Sequence, residues 1–209
     1  MKIKVCGMKY PENIIELCEL PIHIMGLIFY EKSPRYAGEL AIEQLCKIHQ
    51  AIQLVGVFVN EKLETILKTI QKYNLQMVQL HGMESPVLCK ELKSKGIEVI
   101  KAFQIEDAGD LKKCIFYGNV CDYFLFDTKT PQYGGSGKKF DWQILSSYKG
   151  STPFFLSGGI GPDDVEAINR LDIPQLYAID VNSKFEIAPG LKDTSKLRRF
   201  ISNLSLEPN

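Results

Sequence analysis

The sequence predicts an α/β fold of one kind, a closed (β/α)8 TIM barrel formed by a single domain over residues 1–209. Three observations lead to this prediction. Short apolar runs alternate with helix-like segments eight times along the chain, at the spacing of βα units. The runs are almost wholly apolar, as expected for parallel strands buried on both faces. Glycine- and serine-containing turns follow the last two runs, where such barrels bind phosphate.

The eight predicted strands share this short apolar character, and they cover Ile3–Cys6, Met25–Phe29, Leu54–Val59, Met77–Leu80, Val99–Phe103, Tyr123–Phe126, Phe154–Leu156 and Leu176–Ile179. The helices after them are predicted from apolar spacing or a start signal, and they begin near Pro11, Leu40, Asn60, Ser85, Leu111, Phe140, Pro162 and Thr194. Asn60 is a candidate N-cap, and Pro86 follows Ser85 at a tolerated first-turn position. A doubly wound open sheet is the alternative, but eight units and the late turns favour closure.

Composition excludes several classes of function. Lys+Arg and Asp+Glu both number 25, so the formal net charge is zero and no nucleic acid or membrane surface is expected as a partner. No apolar run reaches the roughly 18 residues of a membrane span, and the N-terminus lacks a signal-peptide core. We therefore expect a cytoplasmic protein. Six cysteines without C-x-x-C pairs indicate reduced thiols rather than a metal site.

The turn Ser157–Gly161 follows the seventh strand, and Asn182–Ser183 follows the eighth. Gly158 and Gly159 have no side chains, so their backbone N–H groups can approach a ligand closely. A predicted helix N-terminus just beyond adds a partial positive charge. Gly158, Gly159, Asn182 and Ser183 are therefore the predicted phosphate-binding residues.

Chemistry in a barrel of this kind takes place at the carboxyl ends of the strands. Cys6 ends the first strand and is followed by Gly7, and Asp127 ends the sixth strand. A thiolate and a carboxyl group facing across a pocket can act as base and acid. The alternative is that Cys6 is a small buried residue and Asp127 caps a turn.

Lys4 strengthens the catalytic interpretation of Cys6. The two-residue period of a strand places both side chains on one face. If that face points into the barrel, Lys4 is buried and needs a partner, for which Asp180 on the neighbouring eighth strand is the natural candidate. The ammonium would also favour the Cys6 thiolate. Alternatively, Lys4 lies on the outer face and extends between helices.

Two further residues lie at the rim. Arg35 follows Ser33-Pro34 in the loop after the second strand, where a guanidinium could bind a carboxylate with two hydrogen bonds. We expect it at the opposite side of the pocket from strands seven and eight, unless it is a solvated surface residue. His81 shares a face with Gln79, so both could line the barrel. Otherwise His81 is a cap or a core histidine.

Taken in order, these motifs resemble the phosphoribosylanthranilate isomerases. The resemblance runs from the first strand to the last helix, through Lys4–Gly7, Phe29–Arg35, Val55–Val59, Val78–Gly82, Phe126-Asp127, Gly134–Gly137 with Phe140–Trp142, Leu156–Ile160, and Asp180–Ser183 with Glu186 and Pro189–Asp193. Glu31 and Lys184 depart from the family's frequent proline and glycine.

The resemblance implies an Amadori rearrangement of N-(5-phosphoribosyl)anthranilate in tryptophan biosynthesis. It implies Asp127 as general acid and Cys6 as general base, with Arg35, His81 and Asp180 binding a phosphorylated aminosugar. No cofactor or metal is required for this chemistry, and the protein would be a monomer or homodimer. The glycine-rich stretch from Thr128 to Lys139 is expected to be a mobile lid.

Two other functions remain open from the residues. A sister enzyme such as a pentose-phosphate epimerase or indole-glycerol-phosphate synthase would share the phosphate turns. The epimerase would need metal-binding histidines at strand ends, and the chain has only three histidines. The synthase would need a lysine and a glutamate at the rim. A non-catalytic phosphosugar-binding module would not need the Cys6–Asp127 pair.

Overall fold

The computed structural model describes residues 1–45, 51–129 and 139–205, and in them eight parallel strands close into a barrel. The strands are β1 Lys2–Cys6, β2 Ile24–Ile28, β3 Gln53–Phe58, β4 Met77–Leu80, β5 Glu98–Ile105, β6 Tyr123–Thr128, β7 Phe154–Leu156 and β8 Leu176–Val181. Each strand pairs with the next in the chain, and β1 pairs with β8. The predicted closure is confirmed.

The segments between the strands are helical. The α-helices are α1 Pro11–Leu17, α2 Ile42–Leu45, α3 Leu63–Tyr73, α4 Pro86–Ser94, α5 Val165–Asn169 and α6 Thr194–Ser202, and 3₁₀ helices cover Asp110–Tyr117, Trp142–Ser147, Pro162–Asp164 and Ser183–Phe185. The helix α4 starts at Ser85-Pro86 as predicted, and the Ser85 side chain caps it by accepting from the Leu88 N–H. In the part of the chain described, no helix is long and apolar enough to cross a membrane.

The predicted cap of α3 is wrong. The N-cap is Lys62, which makes no side-chain cap hydrogen bond. Asn60 has a left-handed backbone, φ 53°, and its Oδ1 accepts from the Met83 N–H at 2.6 Å. Asn60 therefore joins the loop after β3 to the loop after β4 instead of starting the helix.

The registers of the eight strands set which side chains fill the barrel. Successive residues of a strand point to opposite faces, whereas residues paired between neighbouring strands point to the same face. The registers therefore identify the residues of the inner face. An apolar cluster fills the interior, formed by Ile24, Val55, Met77, Ile100, Ala102, Leu125, Phe155 and Ala178. The same inner face carries a polar layer nearer the carboxyl ends of the strands, formed by Lys4, Cys6, Gln79, His81, Asp127, Ser157 and Asp180.

A short antiparallel hairpin follows β8 and was not predicted. It consists of β9 Glu186–Ala188 and β10 Leu191–Lys192, and Gly190 turns between them with φ 86°. Lys192 is 1% exposed although it lies on so short a strand. The hairpin therefore brings charged side chains to the same end of the barrel as the polar layer.

Candidate active site

Cys6 is the last residue of β1 and is buried. It pairs with Gly26 of β2, and a Cβ at Gly26 would lie 2.7 Å from the Cys6 Sγ. Gly26 therefore leaves the space that the thiol occupies. Burial raises the pKa of Cys6, and this effect outweighs the neighbouring Lys4 and Lys192 ammonium groups, which lower it. The Lys4 ammonium therefore favours the thiolate as predicted, but burial of the thiol has the larger effect on its pKa.

Lys4 lies on the inner face beside Cys6 and is completely buried. Its Nζ donates to Asp180 Oδ1 and to Gln79 Oε1, each at 2.8 Å, so the predicted Lys4–Asp180 pair is confirmed. Burial alone would lower the pKa of Lys4, but the charge of Asp180 and the nearby thiol raise it above its usual value. Ser157 Oγ donates to the other Asp180 oxygen at 3.2 Å. Lys4 is thus held as a cation at the floor of the site.

A chain of contacts leads from Lys4 across the barrel. Because Gln79 Oε1 accepts from Lys4, its Nε2 is the donor toward His81 Nδ1, at 2.8 Å. With Nδ1 accepting, the neutral imidazole carries its proton on Nε2. That nitrogen lies 3.2 Å from Asp127 Oδ2, within ion-pair distance but without hydrogen-bond alignment. The contact with Gln79 therefore determines which imidazole nitrogen points toward Asp127.

Asp127 is buried on the inner face of β6. Its Oδ1 accepts from the Thr128 N–H at 2.8 Å, which leaves Oδ2 as the oxygen available to carry a proton. A Cβ at Gly158 would lie 2.9 Å from Asp127 Oδ1 and 2.6 Å from the Thr128 nitrogen. The turn after β7 therefore approaches the carboxyl group closely, and only glycine fits there.

Arg35 is bound by a carboxylate of the hairpin. Its Nε lies 2.9 and 3.1 Å from the two Glu186 oxygens, and its Nη2 donates to Glu186 Oε2 at 2.7 Å. A Cβ at Gly7 would meet both Arg35 Cδ, at 2.7 Å, and Asn182 Oδ1, at 2.9 Å. Arg35 therefore lies close to the turn after β8, and the expectation that it stands at the far side of the pocket is wrong.

Lys192 is a charged residue of the site that sequence reasoning missed. Its Nζ donates to Glu186 Oε1 at 2.7 Å and to Asn182 Oδ1 at 2.6 Å. Burial lowers the pKa of Lys192, and this effect outweighs the charges of Glu186 and Cys6, which raise it. The available signal was the stretch Pro189–Asp193, where a glycine turn returns the chain toward β8.

The two turns proposed for phosphate lie side by side. Gly158 and Gly159 have φ angles of 92° and 67°, so both use the left-handed conformation that glycine allows. A Cβ at Gly161, after β7, would lie 3.7 Å from the Lys184 side chain, after β8. Among the residues described, no acceptor takes the backbone N–H of Gly159 or Ser183.

Residues 130–138, which include the glycine-rich stretch Gly134–Gly137, lie outside the described residues, so the predicted lid stays a prediction. In the described ranges, no group of three His, Cys, Asp or Glu side chains is placed to hold a metal ion. The geometry brings a thiol and the Asp127 carboxyl group to one end of the barrel, beside three cations that are paired with Asp180 and Glu186. Such a pair is suited to proton transfer.

The chain is similar in sequence and in structure to proteins of one enzyme family. Residues 3–203 match the family model described as N-(5'phosphoribosyl)anthranilate (PRA) isomerase. The N-(5'-phosphoribosyl)anthranilate isomerase of Parabacteroides distasonis is 48% identical over 206 residues, covering 98% of this chain and 93% of the relative. A crystal structure of phosphoribosyl anthranilate isomerase from Thermus thermophilus superposes with a TM-score of 0.85 at 29% identity, covering 97% and 98% of the two chains.

A further solved structure of phosphoribosyl anthranilate isomerase contains a ligand. It is a complex with reduced 1-(o-carboxyphenylamino)-1-deoxyribulose 5-phosphate, and it superposes with a TM-score of 0.79 at 31% identity. The alignment covers 97% of each chain.

Proposed function

Because the chain belongs to the N-(5'-phosphoribosyl)anthranilate isomerase family, we propose that it performs this isomerisation with Cys6 as general base and Asp127 as general acid. The chain is an isomerase of tryptophan biosynthesis by family membership. The observation that carries the assignment of the two groups is their placement. Both lie on the inner face at carboxyl strand ends, joined through Lys4, Gln79 and His81.

Asp127 would begin the reaction. Its Oδ2 transfers a proton to the ring oxygen of the aminosugar, the ring opens, and the nitrogen lone pair forms a Schiff base. The Thr128 N–H on Oδ1 and His81 beside Oδ2 hold the carboxyl group in one orientation. General-acid catalysis of this kind contributes about 10²–10⁴-fold.

Cys6 would complete the rearrangement. Its thiolate removes the proton from the second sugar carbon, the electron pair shifts toward the iminium nitrogen, and an enolamine forms that becomes the aminoketone. The Lys4 ammonium stabilises the thiolate while it exists. One turnover leaves a thiol and a carboxylate, so the two groups exchange protons with water before the next.

The two anionic ends of the substrate have different partners in the site. Arg35 would bind the anthranilate carboxylate, and the turns Gly158-Gly159 and Asn182-Ser183 would bind the phosphate through backbone N–H groups. His81 and Asp180 border the sugar between them. The small-molecule partner is thus a phosphorylated aminosugar. A single cytoplasmic domain, as a monomer or homodimer, is part of this proposal.

The test is turnover of N-(5-phosphoribosyl)anthranilate, followed by the fluorescence of the anthranilate group. Cys6→Ser should fold normally and lose about 10²–10⁴ in kcat, because serine is a far weaker base. Asp127→Asn should lower kcat much more than it changes KM. Cys18→Ser and Asp163→Asn are matched controls away from the polar layer. Near-normal kcat in either site variant removes that residue from its role.

A second measurement separates the enzyme from a binding module. The wild-type gene should restore growth of a tryptophan auxotroph that lacks this isomerase, and the Cys6→Ser gene should not. A module that only binds the phosphosugar would restore growth in neither case.

A further inference from the structure

The hairpin β9–β10 contributes a carboxylate that the reaction itself does not use. Glu186 is 5% exposed at its side chain and accepts from Arg35, from Lys192 and from the Gly190 N–H. Burial alone would raise the pKa of Glu186, but the Arg35 hydrogen bonds and the Lys192 charge lower it. It is therefore an ionised group at neutral pH, buried and shared between two cations.

The hydrogen bonds of Arg35 show which part of its guanidinium is occupied. A guanidinium has five N–H donors in one plane. Glu186 takes the edge formed by Nε and Nη2. Among the described residues, no acceptor is bonded to Nη1 or to the second N–H of Nη2. One edge is thus filled, and the edge that can bind a second carboxylate with two hydrogen bonds remains open.

We propose that Glu186 is a positioning residue that fixes Arg35 so that its open Nη1–Nη2 edge receives the substrate carboxylate. This inference rests on the proposed function, because it assigns a cause to the orientation of Arg35 in that site. A free arginine side chain has many rotamers, and ordering it on binding costs affinity. Glu186 removes that cost in advance, and the buried Lys192 keeps Glu186 itself in place.

The charges of the cluster support a role for Glu186 in positioning Arg35, because they leave positive charge available to a substrate carboxylate. Glu186 carries one negative charge, while Arg35 and Lys192 carry two positive charges, so one positive charge remains for the substrate. Gly7 has no Cβ and a φ of 76°, which lets Arg35 Cδ pass where a side chain would stand. The guanidinium is therefore held both by its partner and by the backbone beneath it.

The experiment measures equilibrium binding of two probes by calorimetry. The first is reduced 1-(o-carboxyphenylamino)-1-deoxyribulose 5-phosphate, and the second is the same compound without its ring carboxylate. Glu186→Gln keeps an acceptor for Arg35 and Lys192 but loses the charge. It should weaken the first probe by about tenfold, within the range expected for a charge-assisted contact, and leave the second within about twofold.

A double-variant comparison tests whether the effect passes through Arg35. In the Arg35→Ala background, Glu186→Gln should produce no further loss for the first probe. Arg35→Lys is the second variant if Glu186→Gln does not fold. A lysine cannot serve two carboxylates along two edges, so it should also lose affinity for the first probe alone. Glu166→Gln, in the exposed Glu166–Arg170 pair, is the matched control and should change neither probe.

The outcomes separate this proposal from the proposed function. Equal weakening of both probes by Glu186→Gln, or unchanged or tighter binding of the first, overturns the positioning role while the isomerase assignment stands. An additional loss in the Arg35→Ala background overturns it as well. Failure of the wild-type chain to bind the first probe overturns the substrate assignment and this inference together.

Discussion

The Gly26→Ala variant should move the Cys6 thiol without changing its chemistry. The added Cβ would lie 2.7 Å from Cys6 Sγ, 3.2 Å from Cys6 Cα and 3.3 Å from Cys6 Cβ. Nonbonded contacts of carbon are normally about 3.5–4.0 Å, so the sulfur must shift by roughly 1 Å. A displacement of that size at a reacting group can cost about 10²-fold in rate. We expect kcat to fall by about 10²-fold.

Stability has to be separated from catalysis in this experiment. Overpacking costs about 1–3 kcal/mol of the free energy of unfolding. Gly56→Ala is the matched control, because its Cβ would meet Leu75 and Phe58 side chains at 2.5 and 2.8 Å in the layer outside the barrel. Urea denaturation should show losses of the same order in both variants, and steady-state kinetics should show the kcat loss in Gly26→Ala alone. Wild-type kcat in Gly26→Ala would refute the argument that the position of Cys6 matters.

Three further predictions follow from the same geometry. Because burial raises the pKa of Cys6 and the base must be deprotonated, kcat should rise with pH through and above the ordinary thiol range near pH 8.5, and Cys6→Ser should lose this rise. The raised pKa also means that the fold favours the protonated thiol, so this contribution to stability is full below the unfolded pKa and is lost as pH rises through the folded pKa. A flat profile from pH 7 to about 9.5 would contradict the assignment. Lys4→Met should lower the free energy of unfolding by about 3–5 kcal/mol, as measured in urea, because it leaves a buried carboxylate unpaired. Lys129→Met, in an exposed ion pair, should change the free energy of unfolding far less, and equal losses would argue against a buried pair. Crystals grown in sulfate or phosphate should hold an anion between Gly158-Gly159 and Asn182-Ser183, and an anion bound only by surface lysines would count against the phosphate assignment.

The barrel was predictable because each strand can be recognised from its local sequence. A run of three to six mostly apolar residues can be recognised without distant information, and closure followed from counting eight such runs. The Lys4–Asp180 pair was also predictable, since the two-residue period and strand adjacency together place both side chains inside. These predictions depend on short-range periodicity and on one topological rule.

The remaining features depend on contacts between distant parts of the chain. Arg35 and Glu186 are 151 positions apart, and no local pattern pairs a loop after β2 with a hairpin after β8. The loss of the Asn60 cap has the same origin, because its side chain bonds across to the loop after β4. The direction of the Cys6 pKa required knowing how deeply the thiol is buried relative to its charged neighbours.

The hydrogen-bond partners of two buried lysines, Lys101 and Lys4, indicate a structural role for the first and a catalytic role for the second. Lys101 Nζ lies 2.9–3.1 Å from three backbone oxygens and one carboxylate, so all three of its N–H groups are hydrogen-bonded. Lys101 therefore fixes the loop after β4. Lys4 Nζ donates only to Asp180 and Gln79 among the described residues. The Cys6 thiol, on the same face of β1, contributes to the raised pKa of Lys4. An ammonium with one donor left over can stabilise a thiolate that forms for part of each turnover. Lys4 therefore supports the base in a way that Lys101, which is also buried, cannot.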